Sequence, residues 1–141
     1  MTIYCDTSLI VAALTPEVAT SRVRGWLNDQ KADTLCLSGW VLTEVFSAVS
    51  LKVRSGALSI EDRASVLTDW VDMHRLHFRE VAIPATAFER AGQFAGQPEL
   101  ALRSGDALHI AIAALNGLRM ASLDPAMVSA AVRLGITADL V

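Results

Sequence analysis

The chain is poor in the residues that would mark it as secreted, zinc-bound or membrane-spanning. It has two cysteines, Cys5 and Cys36, in 141 residues, too few for a disulfide scaffold. Both lie in apolar runs, where buried thiols are expected, in keeping with a reducing compartment. There are three histidines, and no Cys/His spacing suits zinc. Four prolines and eight glycines are scattered without a repeat, a low-complexity tract or a linker. Gly92 and Gly96 are isolated, so no glycine-rich phosphate loop is present. No apolar run approaches the ~20 residues that cross a bilayer; the longest, 107–118, contains His109 and Asn116. The N-terminus has no basic region and Asp6 interrupts its apolar run, so no signal peptide is expected and a cytoplasmic protein is. Charged residues are 19% of the chain, with 12 Lys plus Arg against 15 Asp plus Glu. That balance excludes a broad basic face for nucleic acid.

Apolar residues are abundant instead, at 52%, which excludes intrinsic disorder. The length suits a single domain, 1–141, able to bury about two thirds of its unfolded surface without a disulfide or a structural metal. Short apolar runs alternate with longer helical patterns. Strands are expected at 2–5, 34–38, 78–83 and 118–123, with a very short fifth at 136–137. Helices are expected at 9–14, 17–30, 40–53, from Ser59 to about His74, 84–95, from a Ser104 cap to about Asn116, and 125–134. The 40–53 segment is apolar almost all round, the mark of a buried helix. Strands separated by helices predict right-handed crossovers, hence an α/β fold with a parallel sheet of four to five short strands and helices on both faces. Ligands in such sheets bind beyond the carboxyl ends of the strands.

Four acids stand out against that frame. Asp6 follows the first strand and precedes a helix, where it can serve as an N-cap or as a site residue. Glu44 shares a helical stripe with Val41, Ala48 and Leu51, and a carboxylate there costs several kcal/mol unless paired or metal-bound. Asp106 falls in the first turn of an apolar helix, favoured by the helix dipole and presented by a core element. Asp124 precedes Pro125, a complete N-cap signal, and also ends the fourth strand. Were the four to converge, their repulsion would force some to protonate. Divalent cations remove that conflict, and all-oxygen ligands suit Mg²⁺ or Mn²⁺. Such a site matches metal-assisted phosphodiester hydrolysis, one ion activating water and a second stabilising the leaving oxygen. The Ser8 hydroxyl, two residues after Asp6, is placed to orient that carboxylate or a coordinated water. His74 and His77 lie in a polar stretch and are expected at the surface. His109, three residues after Asp106, is placed for packing, hydrogen bonding or substrate contact.

These motifs resemble the PIN-domain family, and within it the VapC-type toxins of bacterial toxin–antitoxin modules. The resemblance is carried by Tyr4-Cys5-Asp6-Thr7-Ser8, by Glu44 in its apolar helix, and by Gly105-Asp106-Ala107-Leu108-His109. Ala121-Ser122-Leu123-Asp124 and the following 130–136 segment complete it, so it spans essentially the whole chain. Gly105 stands where relatives often hold proline. The resemblance implies a PIN-like three-layer α/β/α sandwich and a Mg²⁺- or Mn²⁺-dependent endoribonuclease toxin, neutralised by a cognate VapB-like antitoxin and dimeric. By position Asp6, Glu44, Asp106 and Asp124 would be its catalytic and metal-binding acids, with Ser8 beside them.

Lys52, Arg54 and Arg103 are the basic residues nearest the motifs and are candidates for RNA contact. Trp26 and Trp40 are candidates for a dimer or antitoxin interface, or for core packing. Two other functions fit the same acids. One is a phosphate-handling aspartate enzyme or receiver-like domain using Asp6, although a second Asp two residues on is replaced by Ser8. The other is a catalytically silent PIN binding module. The charge balance itself changes meaning once a site is considered. With the four acids set aside, bases exceed acids by one, so a local, metal-mediated grip on phosphate is compatible with the acidic total.

Overall fold

A computed structural model describes residues 1–141. Its strands are β1 (Ile3–Cys5), β2 (Leu35–Ser38), β3 (Arg79–Val81), β4 (Arg119–Ser122) and β5 (Ala138–Leu140). The helices are α1 (Thr7–Leu14), α2 (Thr20–Asn28), α3 (Gly39–Arg54), α4 (Ile60–His77), α5 (Thr86–Ala95), α6 (Ser104–Leu115) and α7 (Pro125–Arg133). A 3-10 turn, Pro98–Leu100, occupies the expected break before α6. No helix is long and apolar enough to cross a membrane.

The five strands form one parallel sheet in the order β3-β2-β1-β4-β5, flanked by helices. The chain therefore starts in the middle, builds outward through β2 and β3, then returns to the other side of β1. The crossover direction reverses between β1 and β4, and at such a switch point the helices part and leave a crevice at the carboxyl ends of the strands. Asp6 and Asp124 lie just past those two ends.

The interior strands are apolar because helices cover both faces. Tyr4, Cys5, Cys36, Leu37, Met120 and Ala121 are all fully buried. The edges carry charge, which blocks further strand addition: Arg79 and Glu80 on β3, and an Asp139–Arg119 ion pair linking β5 to β4. Cys36 is the register partner of Tyr4, so it shares a sheet face with Tyr4 while Cys5 points to the other. The two thiols are free and buried, as expected. Burial pushes the Cys36 thiol up to about 11.

The buried helices are α1 and α6. Leu9–Leu14 and every residue from Ala107 to Ala113 are inaccessible or nearly so. Helix α3 corrects the expectation of all-round burial. It buries only Val41, Val45 and Val49, one i, i+4, i+8 stripe, and leaves Phe46 and Leu51 exposed. Several boundaries also differ: α2 is shorter than expected, α4 runs on to His77 and α5 starts at Thr86. The fifth strand lies at Ala138–Leu140, because Gly135 turns with positive φ (83°) and Ile136 and Thr137 are spent in reaching the sheet. Helix α1 begins directly after Asp6, whose carboxylate caps it. Ser104 is the first residue of α6 rather than its cap, and Arg103 takes the cap position without a side-chain bond.

Candidate active site

Asp6 is the most buried acid, with 2% of its surface exposed. Its N–H donates to the Ala121 carbonyl at 3.2 Å, extending the β1–β4 ladder by one bond. That bond fixes the backbone from which the carboxylate projects. Ser8 Oγ donates to Oδ1 at 2.6 Å, and the Leu9 N–H donates to the same oxygen at 3.4 Å. Ser122 Oγ donates to Oδ2 at 2.7 Å. Both hydroxyls are themselves oriented: the Leu123 N–H donates to Ser8 Oγ at 3.0 Å, and the Asp124 N–H to Ser122 Oγ at 2.9 Å. Burial pushes the Asp6 carboxyl above the ordinary aspartate range, and Ser8, the His109 charge, Ser122 and the Leu9 N–H offset only part of it.

Asp124 caps α7. Its Oδ1 accepts from the Ala126 and Met127 N–H groups at 2.9 and 3.3 Å, with Pro125 at the first helical position. Its Oδ2 takes no part in the cap. Asp106 is the third residue of α6 and is half-buried. A carboxylate there is favoured by the helix dipole, yet its carboxyl stands above the ordinary range. Burial is the first cause; the neighbouring charges of Asp124 and Glu44 raise it further, against partial relief from His109 and Arg103. Asp106, Asp124 and Glu44 thus share one electrostatic field.

Glu44 projects from the second turn of α3. Its Oε1 accepts from Thr7 Oγ1 at 2.7 Å and is hydrogen-bonded to His109 Nε2. Burial raises its carboxyl, but the His109 bond and charge and the Thr7 hydroxyl outweigh burial and hold it below the ordinary glutamate range. Its Oε2 faces α6, 3.4 Å from the point that a Gly105 Cβ would occupy. The Trp40 ring packs on the same glycine, and its indole N–H is the one buried side-chain polar atom without a partner. His109 is 1% exposed, and its Nδ1 lies 2.9 Å from the Tyr4 hydroxyl, which lies 2.8 Å from Ser38 Oγ.

All five residues expected from sequence, Asp6, Ser8, Glu44, Asp106 and Asp124, are therefore found around the carboxyl ends of β1, β2 and β4. Ser122 links Asp6 to Asp124, and Thr7 and His109 hold Glu44, three residues that sequence patterns alone do not single out as a set; Asp106 meets the others through charge. The nearest signal is the hydroxyl–x–acid spacing Ser122-Leu123-Asp124, which mirrors Asp6-Thr7-Ser8 across the crevice. Of the basic candidates, Lys52 is committed to an ion pair with Glu17 at 2.9 Å, while Arg54 and Arg103 are exposed. Trp26 and Trp40 both pack against the core. His77 is exposed, but His74 stacks on the buried Trp70 ring.

The donor set consists of carboxylate oxygens, the ligands of hard divalent cations. No three His, Cys, Asp or Glu side chains are gathered into a cage. An open site, in which one or two carboxylates hold a cation that keeps most of its waters, fits the arrangement.

The chain is thus an α/β protein with an acidic crevice at the switch point of its parallel sheet. Within that class it belongs to the PIN domain family, whose model matches residues 3–132. Its fold is similar to that in the crystal structure of FitAcB from Neisseria gonorrhoeae, at 20% identity and a TM-score of 0.71, covering 97% of this chain and 96% of that one. It is also similar to Mycobacterium tuberculosis VapC20, a sarcin-ricin loop cleaving toxin, at 16% identity and a TM-score of 0.70, covering 92% and 95%. VapBC2 from Rickettsia felis, bound to a DNA fragment from its promoter, matches at 16% identity and a TM-score of 0.64, covering 100% and 99%. A comparison with curated protein sequences finds no significant match.

Proposed function

We propose that the protein is a Mg²⁺- or Mn²⁺-dependent endoribonuclease, a single PIN domain over residues 1–141 that acts as the toxin of a toxin–antitoxin pair. The observation that carries this is the shared field of Asp106, Asp124 and Glu44 beside the buried Asp6, since such a set is unfavourable without a cation. Membership of the PIN family supports nuclease chemistry, and the likeness to VapC20 and VapBC2 supports an RNA substrate and a VapB-like antitoxin. A homodimer in the cytoplasm completes the proposal.

Asp6 and Asp106 would hold the cation, with Glu44 and Asp124 flanking it. The bound cation supplies Lewis acidity toward the phosphodiester and lowers the pKa of a coordinated water. Ser8 and Ser122 hold the two Asp6 oxygens, so the carboxylate does not turn when substrate arrives. Arg103, exposed beside Asp106, is placed to meet RNA phosphate. The receiver-like alternative is disfavoured by Ser8, which stands where that chemistry wants a second aspartate, two residues after Asp6.

The test is cleavage of a structured RNA by the purified protein in Mg²⁺, in Mn²⁺ and in EDTA, with Asp106→Asn alongside. Cleavage in either ion, absent in EDTA and reduced roughly 100-fold or more in Asp106→Asn, is expected. RNA left intact by the wild type in both ions would overturn it. Asp124 separates stability from activity. Asn caps a helix as well as Asp does and removes a charge from beside Asp106, so Asp124→Asn is expected to melt no lower than wild type without metal while cleaving more slowly. Asp124→Ala loses the cap as well, about 1 kcal/mol, or roughly 3–4 °C by calorimetry.

A further inference from the structure

The His109 ring is bonded at both nitrogens. A carboxylate only accepts, so the His109 nitrogen facing Glu44 Oε1, Nε2, carries the proton. On the other side Nδ1 is hydrogen-bonded to the Tyr4 hydroxyl at 2.9 Å, and that hydroxyl to Ser38 Oγ at 2.8 Å. Ser38, Tyr4 and His109 are all buried, at 0%, 0% and 1% exposure, and they come from β2, β1 and α6. Three separate elements thus form one chain that ends on a single oxygen of Glu44.

We propose that His109 is a positioning residue for Glu44, donating from Nε2 to Oε1 while Tyr4 and Ser38 anchor its ring through Nδ1, so that Oε2 alone faces the cation site. Two observations set the outcome for Glu44. Oε1 is committed twice, to His109 and to Thr7. Oε2 stands 3.4 Å from the missing Cβ of Gly105, at the turn of α6 that presents Asp106. Fixing one oxygen therefore aims the other. A flexible Glu side chain would otherwise pay rotamer entropy on meeting a cation or its waters, and partners of this kind are commonly worth 10–100-fold in metal affinity. Tyr4 never reaches the cation; it acts two bonds away by holding the His109 ring in place. The proposal rests on the cation-dependent nuclease function above.

Three measurements test it. The first is the His109 tautomer in the intact wild-type protein, read from imidazole nitrogen shifts in a long-range ¹H–¹⁵N spectrum. Protonation at Nε2 is expected; protonation at Nδ1 alone would overturn the positioning role. The second is Mn²⁺ affinity by calorimetry, without RNA, in His109→Leu, His109→Gln and Tyr4→Phe. A loss of about 10–100-fold is expected in His109→Leu. The Gln amide nitrogen can replace Nε2 as donor, so His109→Gln is expected to recover most of that loss. Tyr4→Phe, which keeps the aromatic ring but frees Nδ1, is expected to loosen the imidazole and give a smaller loss. Wild-type affinity in His109→Leu would overturn the positioning role and leave the nuclease function standing. The third is cleavage, where kcat is expected to fall with RNA KM unchanged. Should His109→Leu fail to fold, the wild-type tautomer and the Gln and Phe variants decide by the same criteria. A wild type that neither binds Mn²⁺ nor cuts RNA would overturn the nuclease function, and this proposal with it.

Discussion

Asp6→Asn is expected to abolish cleavage and, in metal-free protein, to raise the melting temperature. Both effects follow from one carboxylate held in the wrong solvent for its charge. Asp6 is 2% exposed, and its carboxyl is raised by burial despite three hydrogen-bond donors. The native fold therefore favours the neutral form. Asn supplies a neutral group of the same shape. Its oxygen can accept from Ser8 and the Leu9 N–H, and its amide can donate to Ser122 Oγ, because a hydroxyl both donates and accepts. Asn also caps α1 as well as Asp does. No buried polar atom is orphaned, and a buried charge is removed.

The pH dependence fixes the sign. A carboxyl whose folded value lies above its unfolded value stabilises the fold fully below the unfolded value, and that contribution is lost as pH rises through the folded value. Wild-type apo protein loses it as pH rises, and Asp6→Asn never titrates. The gap in melting temperature, the variant above the wild type by a few degrees, is expected widest at neutral pH and closing as pH falls below the ordinary aspartate range. Cleavage is expected to fall at least ~100-fold. A variant that melts below wild type at neutral pH, or that still cuts RNA at the wild-type rate, would remove Asp6 from the site. This is the stability–activity trade-off expected where a buried charge is kept for function.

The parts of the site legible in sequence were those with local signatures. Asp6 and Asp124 each stand at the junction of an apolar run and a helix, so strand end and N-cap could be read from a few neighbours. Asp106 was legible for the same reason, at the start of an apolar helix. The fold class followed from alternation, since strand and helix periods differ and both recur along the chain. What was not legible depends on distance in sequence. The Tyr4–His109 bond joins residues 105 apart, and Ser122–Asp6 joins residues 116 apart. No local pattern encodes which hydroxyl will meet which acid; the strand order decides it. Helix α3 failed differently. Phe46 and Leu51 look like core residues by type, but only one stripe of the helix meets the sheet. Hydrophobicity reports what a side chain can bury against, not whether a neighbour is there.

Adding Mg²⁺ or Mn²⁺ to the metal-free protein is expected to raise its melting temperature strongly, and EDTA to reverse it. Asp106 carries the reason. Its carboxyl is raised by burial and then by the charges of Asp124 and Glu44, so the empty set of acids opposes folding at neutral pH. A divalent cation replaces that repulsion with attraction. Because it binds the folded arrangement and not the dispersed acids of the unfolded chain, it stabilises by mass action, about 2.7 kcal/mol at a hundredfold excess over its dissociation constant. For a chain of this size that is a rise of roughly 8–10 °C. Simple screening cannot imitate it, since monovalent salt at matched ionic strength only weakens the repulsion between neighbouring carboxylates. Asp106→Asn is expected to melt slightly higher than wild type without metal and to lose most of the divalent increment. An equal increment in Asp106→Asn would place the cation elsewhere; no increment in wild type with either ion would sink the cation site itself. The same measurement addresses the acidic total charge of −3. If the increment is large, the acids that seem to disfavour RNA are the ones that recruit the cation through which phosphate is held.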